Sequence, residues 1–419
     1  MNRKHLLKAL GPGILFASTC IGVSHLVQST RAGADFGFQL VIFIVLANLL
    51  KYPFFEFGSR YAAATRKNLL EGYKAEGDWV LWIYFILSLA SMFTVTAAVT
   101  FVTAGMLNNL IGWEFNPTYL SGIILIVCTL ILILGKYSIL DTLLKIVGAV
   151  LLISTLTAFL GVLGKGRIEP MEGFVPAELM ERNNIIFLIA LMGWMPTAVD
   201  LSTWNSLWAI ERMNQTGYKA KLKEVLFDFN FGYIVTAILA ICFLTLGAYV
   251  MYGTGEELSS NSTEFSDQVV RLYTNALGSW TYPVIAIAAF SAMFSTTITV
   301  VDGFGRAMGE TVRLLFFKSA GIKTLYTVMM LIVAVISFFF ILLLSANLKD
   351  LVDLATTLSF VIAPVIAYIN YRVIMSDQIE AEFRPKPWLK NLAIIGLIFL
   401  TVFALIYIGV YFNLIPLNF

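Results

Sequence analysis

The chain has 419 residues, of which 59% are apolar and only 13% are charged, and its mean hydropathy is +0.83. A soluble protein of this length has too little interior to hide so much apolar surface, so the composition predicts an integral membrane protein. A net charge of +2 gives no indication of a nucleic-acid partner. The three cysteines lie singly in apolar stretches, which is typical of packed thiols rather than disulfides or a metal site: Cys20, Cys128 and Cys242.

Eleven apolar runs are long enough to cross a bilayer core, which needs about 20 helical residues. We number them spans 1 to 11 in chain order: 12–33, 38–63, 79–107, 119–135, 139–163, 184–209, 227–252, 282–312, 324–346, 351–373 and 390–415. Their apolar residues are continuous rather than alternating, so they predict helices and an all-α membrane protein. No linker or soluble domain interrupts them, and we expect a single domain over residues 1–419.

The basic residues are distributed unevenly between the segments that join the spans. If the N-terminus is cytoplasmic, 20 of the 28 basic residues lie in inner segments and six in outer segments. This asymmetry predicts that the N-terminus is inside and the C-terminus outside. The outer loops at 164–183 and 253–281 are polar and are expected to form solvated caps. Asn261, which opens an NST sequon in the second loop, is interpreted as a polar loop residue.

Two spans contain helix-breaking residues near their centres. Span 1 has the polar and small residues STCIGVSH at 18–25, and span 6 has GWMPTAVD at 193–200. Pro196 removes a backbone donor and clashes with the preceding turn, which predicts a break at 193–196. The alternative is that both sites are simple kinks whose backbone groups are satisfied by Ser or Thr side chains.

Broken helices at the start of each half of the chain predict an inverted-repeat secondary transporter. The first repeat would cover about 10–163 and the second about 184–373, with an additional helix at about 390–415. An odd number of spans per repeat gives the two repeats opposite orientations in the membrane. The breaks would expose backbone carbonyls and helix ends that bind an ion or a polar substrate at the midplane.

The stretch GPGILFASTCIGVSHLVQSTRAGADFGFQL, residues 11–40, resembles the first span of the NRAMP family of divalent-metal transporters. Met195-Pro196 is similar to that family's MPH motif, and SAMFSTTITVVDGF in span 8 is similar to its S-S-T-I-T segment. The resemblance extends from about residue 10 through span 10. It implies a LeuT-type fold of 11 transmembrane helices with a 5+5 inverted repeat and broken helices 1 and 6.

The chain departs from the family at the residues that bind metal. Where the family has DPGN, this chain has Gly22-Val23-Ser24-His25, so Gly22 replaces the metal-binding Asp and His25 replaces the Asn. Met195 keeps the family's soft sulfur ligand, whereas Thr197 replaces the His of MPH. The acidic pair used for proton movement on span 3 is also absent from 79–107, which carries hydroxyl residues instead: Ser91, Thr94 and Thr96.

The resemblance and the breaks together predict a substrate site formed by Gly22, Ser24, His25, Met195, Thr197 and Asp200. Its metal ligands would be His25, Met195 and Asp200. A neutral imidazole can bind borderline metals or exchange a proton near neutrality. The alternative for His25 is a packed side chain that is bonded to a carbonyl at the helix break.

Asp200 is a lone carboxylate near the centre of span 6, where charge costs about 2.5–3.5 kcal/mol. It should therefore have a counter-charge, a cation or a water-filled cavity nearby. The alternative is a structural hydrogen bond to span 1 or span 3. Trp194 and Trp204 flank it and are expected to be packing residues or pocket walls.

Other polar residues in the spans suggest pairs or gates. Asp302, Arg306 and Glu310 lie at i, i+4 and i+8 of span 8, which predicts an ion-pair ladder that acts as a gate or a brace. The hydroxyls of span 8 at 295–297 could help to hold Na⁺ or could simply pack. Three further expectations concern charged residues: Lys51 and Glu56 contact other spans, and Asp141 pairs with Lys145.

The sequence thus predicts an NRAMP-like secondary transporter, not an enzyme, that moves a divalent cation by alternating access. Loss of the Asp ligand predicts altered ion selectivity and weaker proton coupling. We expect no cofactor and no nucleic-acid partner, and placement in a bacterial inner membrane. One alternative is a transporter of a small polar organic solute on the same scaffold. An enzyme would need a nucleophile–His–acid set that the sequence lacks, and a channel fits poorly with interrupted repeats.

Overall fold

The structure is a computed structural model that describes residues 5, 8–134, 137–344, 347–412 and 414, with only the backbone described at 137–148. Every regular element within these ranges is a helix, which confirms the predicted all-α class. The expected pair of Asp141 and Lys145 lies outside the described side chains.

Each predicted span corresponds to a helix or to a broken series of helices. Span 1 consists of Pro12–Cys20, a π-helical segment Val23–Ser29, and Thr30–Phe36. Span 6 consists of Arg182–Gly193, a 3-10 turn Val199–Leu201, and Ser202–Thr216. The other nine spans are single helices in chain order: Val41–Thr65, Asp78–Ile111, Pro117–Ile133, Tyr137–Lys165, Leu222–Val250, Tyr282–Leu315, Ile322–Leu344, Leu348–Met375 and Pro387–Tyr411.

Seven helices in the described chain are long and apolar enough to cross a membrane, namely those of spans 2, 3, 7, 8, 9, 10 and 11. Spans 1 and 6 miss that criterion because they are broken, and spans 4 and 5 because their described apolar helices are shorter. Spans 9 and 11 leave most of their surface exposed, as expected for helices that face lipid.

Two of the connecting segments are more ordered than the sequence suggests. Leu69–Glu76 forms a helix between spans 2 and 3, and Asn68 and Glu71 form its capping box. Ser262–Leu277 forms a helix in the loop predicted as a solvated cap. Asn261, interpreted as a polar loop residue, lies just outside that helix and caps it by accepting from the backbone N–H groups of Thr263 and Glu264.

The connecting segments meet at two opposite ends of the helix bundle. Segments predicted to be inner come together at one end, where Arg66 donates to the Ala220 carbonyl at 2.7 Å. Segments predicted to be outer meet at the other end, where the Leu348 backbone N–H donates to the Ser260 carbonyl at 3.0 Å. This arrangement agrees with the predicted alternation of the spans.

Span 1 crosses span 7 at a contact between two glycines. A Cβ on Gly33 would lie 1.9 Å from the Leu244 carbonyl oxygen, and one on Gly247 would lie 2.3 Å from that of Thr30. Only glycine permits so close a backbone approach. The AGA segment therefore holds the second half of span 1 against span 7, next to the break.

Candidate functional site

Span 1 is interrupted between Cys20, where its first helix ends, and Val23, where the π-helical segment begins. A Cβ on Gly22 would lie 2.6 Å from Thr296 Oγ1 of span 8, so that side chain fills the space beside Gly22. Thr296 is held there because its hydroxyl donates to the Ser18 carbonyl at 3.0 Å. A longer residue at position 22 has no room unless span 8 moves.

Span 6 is interrupted after Gly193, and Pro196 lies in the non-helical stretch, as predicted. The break faces the break in span 1. The Ser24 hydroxyl oxygen lies 3.2 Å from the Pro196 carbonyl oxygen, and the Ser29 hydroxyl lies 3.8 Å from the Met195 sulfur. Ser24, Ser29 and Met195 are all buried. The expectation that the two breaks meet is confirmed.

His25 is fully buried and both of its ring nitrogens have protein partners. Nε2 lies 2.9 Å from the Thr236 carbonyl oxygen of span 7, and Nδ1 lies 2.8 Å from the Ser24 hydroxyl. A carbonyl only accepts, so Nε2 carries the proton. Nδ1 contacts the Ser24 hydroxyl, whose oxygen also lies 2.5 Å from the Cys20 carbonyl oxygen. This is the arrangement expected for a packed histidine at the helix break. In this conformation neither nitrogen offers a free lone pair to a metal.

Asp200 is buried and faces span 3. Ser91 donates to its Oδ2 at 3.2 Å, which is the hydrogen bond to span 3 foreseen as the structural alternative. Its Oδ1 has no hydrogen-bond partner among the described residues. A buried carboxylate oxygen without a donor is costly, so this atom remains available to a cation, a proton or water.

The two flanking tryptophans are packing residues. The Trp194 indole donates to the Ser359 hydroxyl of span 10 at 2.9 Å. Trp204 is fully buried, with its ring 4.8 Å from that of Phe304 in an edge contact.

Lys51 of span 2 reaches into the break in span 6, so the expectation that it contacts another span is confirmed. Its ammonium donates to the carbonyls of Met192 and Gly193 at 2.9 Å and to that of Thr197 at 3.0 Å. The side chain is fully buried. The sequence signal for this contact was a lysine in the middle of an apolar span.

Glu56, in contrast, has its charged partner on its own helix. It pairs with Arg60 of its own helix at 2.5 Å, because Arg60 lies one turn further along the same face. Arg60 also donates to the Phe383 carbonyl at 2.9 Å, so the pair joins span 2 to the segment before span 11.

The six predicted site residues are therefore only partly brought together. Ser24 and Met195 lie where the breaks meet, and the Thr197 carbonyl is bound to Lys51, whereas His25 faces span 7 and Asp200 faces span 3. The described chain contains no group of three or more His, Cys, Asp and Glu side chains placed to hold a metal. A cation at the breaks would have to use sulfur, hydroxyl and carbonyl ligands as well.

The charged residues of span 8 form two separate pairs rather than a ladder. Arg306 donates to Asp302 at 2.8 Å, as expected, but Glu310 pairs with Arg313 at 2.7 Å. The ladder prediction is wrong for Glu310 because Arg313 is one turn further along and offers a second cation on that face. Asp302 also accepts from Tyr326 of span 9 at 2.8 Å, which makes the first pair a brace between spans.

Most hydroxyl side chains near the breaks form hydrogen bonds with other groups of the protein. Ser295 of span 8 hydrogen-bonds to Ser18 of span 1. Thr297 bonds to Thr103 of span 3 at 2.7 Å. Thr94 and Thr96 donate to carbonyls of their own helix at 2.9 and 2.7 Å. These contacts favour the packing interpretation over a Na⁺ site.

A vestibule of about 870 Å³ lies at the predicted outer end of the bundle. Its described lining includes five acidic side chains against two basic ones: Asp35, Glu256, Glu257, Asp350, Asp353, Arg31 and Lys349. The excess of carboxylates makes its potential negative, which concentrates cations at the mouth.

The vestibule ends at a charged cluster that sequence reasoning missed. Arg31 of span 1 pairs with Asp353 of span 10 at 2.8 Å and lies over the Phe187 ring at 4.6 Å. Gln28, fully buried below, accepts from Arg31 and donates to Asp353, both at 3.1 Å. Ser29, which contacts the Met195 sulfur, follows directly in the chain. The cluster thus lies at the wall of the vestibule, next to the residue of span 1 that contacts the break in span 6.

Comparisons of the sequence with known proteins identify a family and several relatives. The natural resistance-associated macrophage protein-like (Nramp) family model matches residues 13–409. An uncharacterized protein of Pasteurella multocida is 38% identical over 406 residues, which cover 96% of this chain and 92% of the relative. The divalent metal cation transporter MntH of Levilactobacillus brevis is 22% identical over 403 residues, which cover 91% and 83%.

Solved structures share the fold. A mutant of the Eremococcus coleocola manganese transporter is similar with a TM-score of 0.73 and 17% identity, covering 97% of this chain and 88% of its own. Mhp1, a nucleobase-cation-symport-1 family transporter, is similar with a TM-score of 0.58 and 14% identity, covering 98% and 94%. The fold is thus the LeuT-type transporter fold, and with a family match across nearly its whole length the chain belongs to the Nramp family.

Proposed function

We propose that this protein is a secondary transporter that moves a divalent metal cation across a bacterial inner membrane by alternating access. The observation that carries the proposal is that the breaks of spans 1 and 6 face each other, with the Met195 sulfur buried between them. Broken helices placed in this way form the binding site of inverted-repeat transporters. Relatives that are named as metal transporters, together with the acidic vestibule, support a cation as the cargo.

The cargo would bind between the breaks, close to Gly22, Ser24, Met195, Thr197 and Asp200. The Met195 thioether and the unpartnered Asp200 oxygen would be the softest and the most anionic ligands among the described side chains there. His25 would orient Ser24 and tie span 1 to span 7 rather than bind the ion. With fewer anionic ligands than its family pattern, the site would hold a more hydrated ion through hydroxyls and carbonyls.

Proton coupling would differ from the family pattern. Residues 79–107 of span 3 contain no Asp or Glu, so the acidic pair on that span is missing. Asp200, which touches span 3 through Ser91, is a buried carboxylate close to the break in span 6. The charge distribution supports an N-terminus in the cytoplasm and a C-terminus outside.

Uptake into proteoliposomes tests the proposal. Mn²⁺, Cd²⁺, Zn²⁺ and Mg²⁺ are compared with and without a pH gradient, for the wild type, Met195→Ala and Asp200→Asn. Met330→Ala, which truncates an equally buried methionine in span 9, is the matched control. At least one ion should be taken up by the wild type and the control, lost in Asp200→Asn and taken up with altered selectivity by Met195→Ala. No uptake of any divalent ion would reject the proposal and favour a small organic solute as the cargo.

A further inference from the structure

The non-helical stretch of span 6 presents a cluster of backbone carbonyls to the protein interior. Met192 and Gly193 are the last two residues of the first half-helix, so their carbonyls lie at its negative end. Thr197 comes from the far side of the break. In broken-helix transporters, carbonyls of this kind bind the coupling cation.

In this protein the cluster already holds a cation. The Lys51 ammonium is 2.9 Å from the Met192 and Gly193 oxygens and 3.0 Å from the Thr197 oxygen. Three acceptors require three N–H donors, which the ammonium form has and the neutral amine lacks. Among the described residues no carboxylate lies within ion-pair distance of the Lys51 ammonium, so these carbonyls are its direct partners, and the buried Asp200 carboxylate supports its charge at longer range.

We propose that Lys51 is a resident cation that permanently occupies the carbonyl cluster of span 6, where a transporter on this scaffold would otherwise bind a free monovalent ion. Because Lys51 belongs to span 2, its ammonium fastens both sides of the break to a continuous helix. The break is stabilised without Na⁺ or K⁺, and removal of the side chain leaves a monovalent-cation site empty. Only the uptake measurement below rests on the proposed function.

Thermal unfolding of the purified protein tests this inference independently of the cargo. Melting is followed in choline chloride, NaCl and KCl at equal ionic strength, for the wild type and for Lys51→Met. The wild type should melt at the same temperature in all three salts. Lys51→Met should melt at least about 5 °C lower in choline, with a saturable recovery in Na⁺ or K⁺ because an ion that binds only the folded state stabilises it.

The control variant is Tyr233→Phe. It removes another buried hydrogen bond to a carbonyl of span 2, that of Asn48, at 2.5 Å, but leaves no cluster of carbonyls. It should be destabilised without any response to Na⁺ or K⁺. Equal salt responses in Lys51→Met and Tyr233→Phe would overturn the proposal.

Wild-type uptake provides a second readout in case Lys51→Met does not fold. The initial rate of uptake of the transported ion should be the same, within about twofold, in choline, Na⁺ and K⁺ buffers. Saturable activation by fivefold or more in Na⁺ or K⁺ would show that a free ion is still required and would refute a resident cation. If the protein took up no divalent ion, the thermal measurement would still decide the inference.

Discussion

Thr296 of span 8 occupies the space beside Gly22, where the family pattern has a metal-binding carboxylate. A Cβ on Gly22 would lie 2.6 Å from Thr296 Oγ1 and 2.7 Å from its Cγ2. The space next to position 22 is therefore filled by a side chain of a neighbouring helix, and a carboxylate at this position would need Thr296 to move or to be shortened.

Gly22→Ala should lower the melting temperature, because overpacking a filled interior costs about 1–3 kcal/mol. Thr296→Ala should relieve most of that cost, so the two changes should be strongly non-additive in a double-mutant cycle. Gly164→Ala is the control, since a Cβ there meets no atom within 4 Å. If Gly22→Ala melts at the same temperature as the wild type, Thr296 does not prevent a larger residue at position 22.

Gly22→Asp by itself should not produce a stronger metal site. The carboxylate would collide with Thr296, so we expect a less stable protein whose melting temperature is no more sensitive to Mn²⁺ than that of the wild type. Adding Thr296→Ala should restore stability and increase the rise in melting temperature that Mn²⁺ causes. If Mn²⁺ raised the melting temperature of Gly22→Asp as much as that of the double variant, this expectation would be contradicted.

His25→Ala should reduce stability without abolishing the response to the transported ion. The change removes the 2.9 Å bond from Nε2 to the Thr236 carbonyl, which keeps its bond within the helix, so the loss of this hydrogen bond should cost about 0.5–1.5 kcal/mol. Melting curves with and without the ion, and with Asp200→Asn for comparison, separate the two roles. Loss of the ion response in His25→Ala alone would instead identify His25 as a ligand.

Met195→Ala should alter selectivity more than overall capacity. A thioether favours soft ions, whereas carbonyl, hydroxyl and carboxylate oxygens suit Mg²⁺ and Mn²⁺. Uptake of Cd²⁺ should therefore fall by about tenfold relative to Mg²⁺, which corresponds to a difference of about 1.4 kcal/mol. Competition between the two ions in one vesicle preparation measures the ratio, and an unchanged ratio would remove Met195 from the binding site.

Asp353→Asn should loosen the closure above the breaks. The Arg31–Asp353 pair, at 2.8 Å, joins span 1 to span 10 at the base of the vestibule. A cysteine placed at Ser29, which is buried and lies next to the cluster, should react faster with an impermeant maleimide in the Asp353→Asn background. The native cysteines are buried and should contribute little labelling. Equal labelling rates would show that the pair does not limit access.

The two pairs on span 8 should behave independently. Arg306 and Asp302 are 2.8 Å apart and should show a coupling energy of about 1 kcal/mol or more in a double-mutant cycle. Arg306 and Glu310 should couple by less than about 0.5 kcal/mol, because Glu310 is engaged by Arg313. Thermal melting of the alanine variants provides both coupling energies. Equal values would support the predicted ladder of Asp302, Arg306 and Glu310.

Much of the fold was predictable because membrane spanning imposes strong local rules. The length and continuity of the apolar runs located the spans, and Pro196 located the break in span 6. The helix Ser262–Leu277 was missed because its polar residues resemble a loop until one face is packed. Glu310 was predicted to pair with Arg306 but pairs with Arg313. The sequence could not decide between them, because helical spacing permits either partner.

The sequence by itself determined the membrane class, the two interrupted spans and the family frame, since composition and local backbone chemistry are sufficient for these. Only the tertiary structure decided which side chains meet at the interruptions. It turned His25 towards span 7, placed Thr296 beside Gly22 and brought Lys51 to the carbonyls of span 6. Such contacts depend on helices far apart in sequence, whose packing no local pattern encodes.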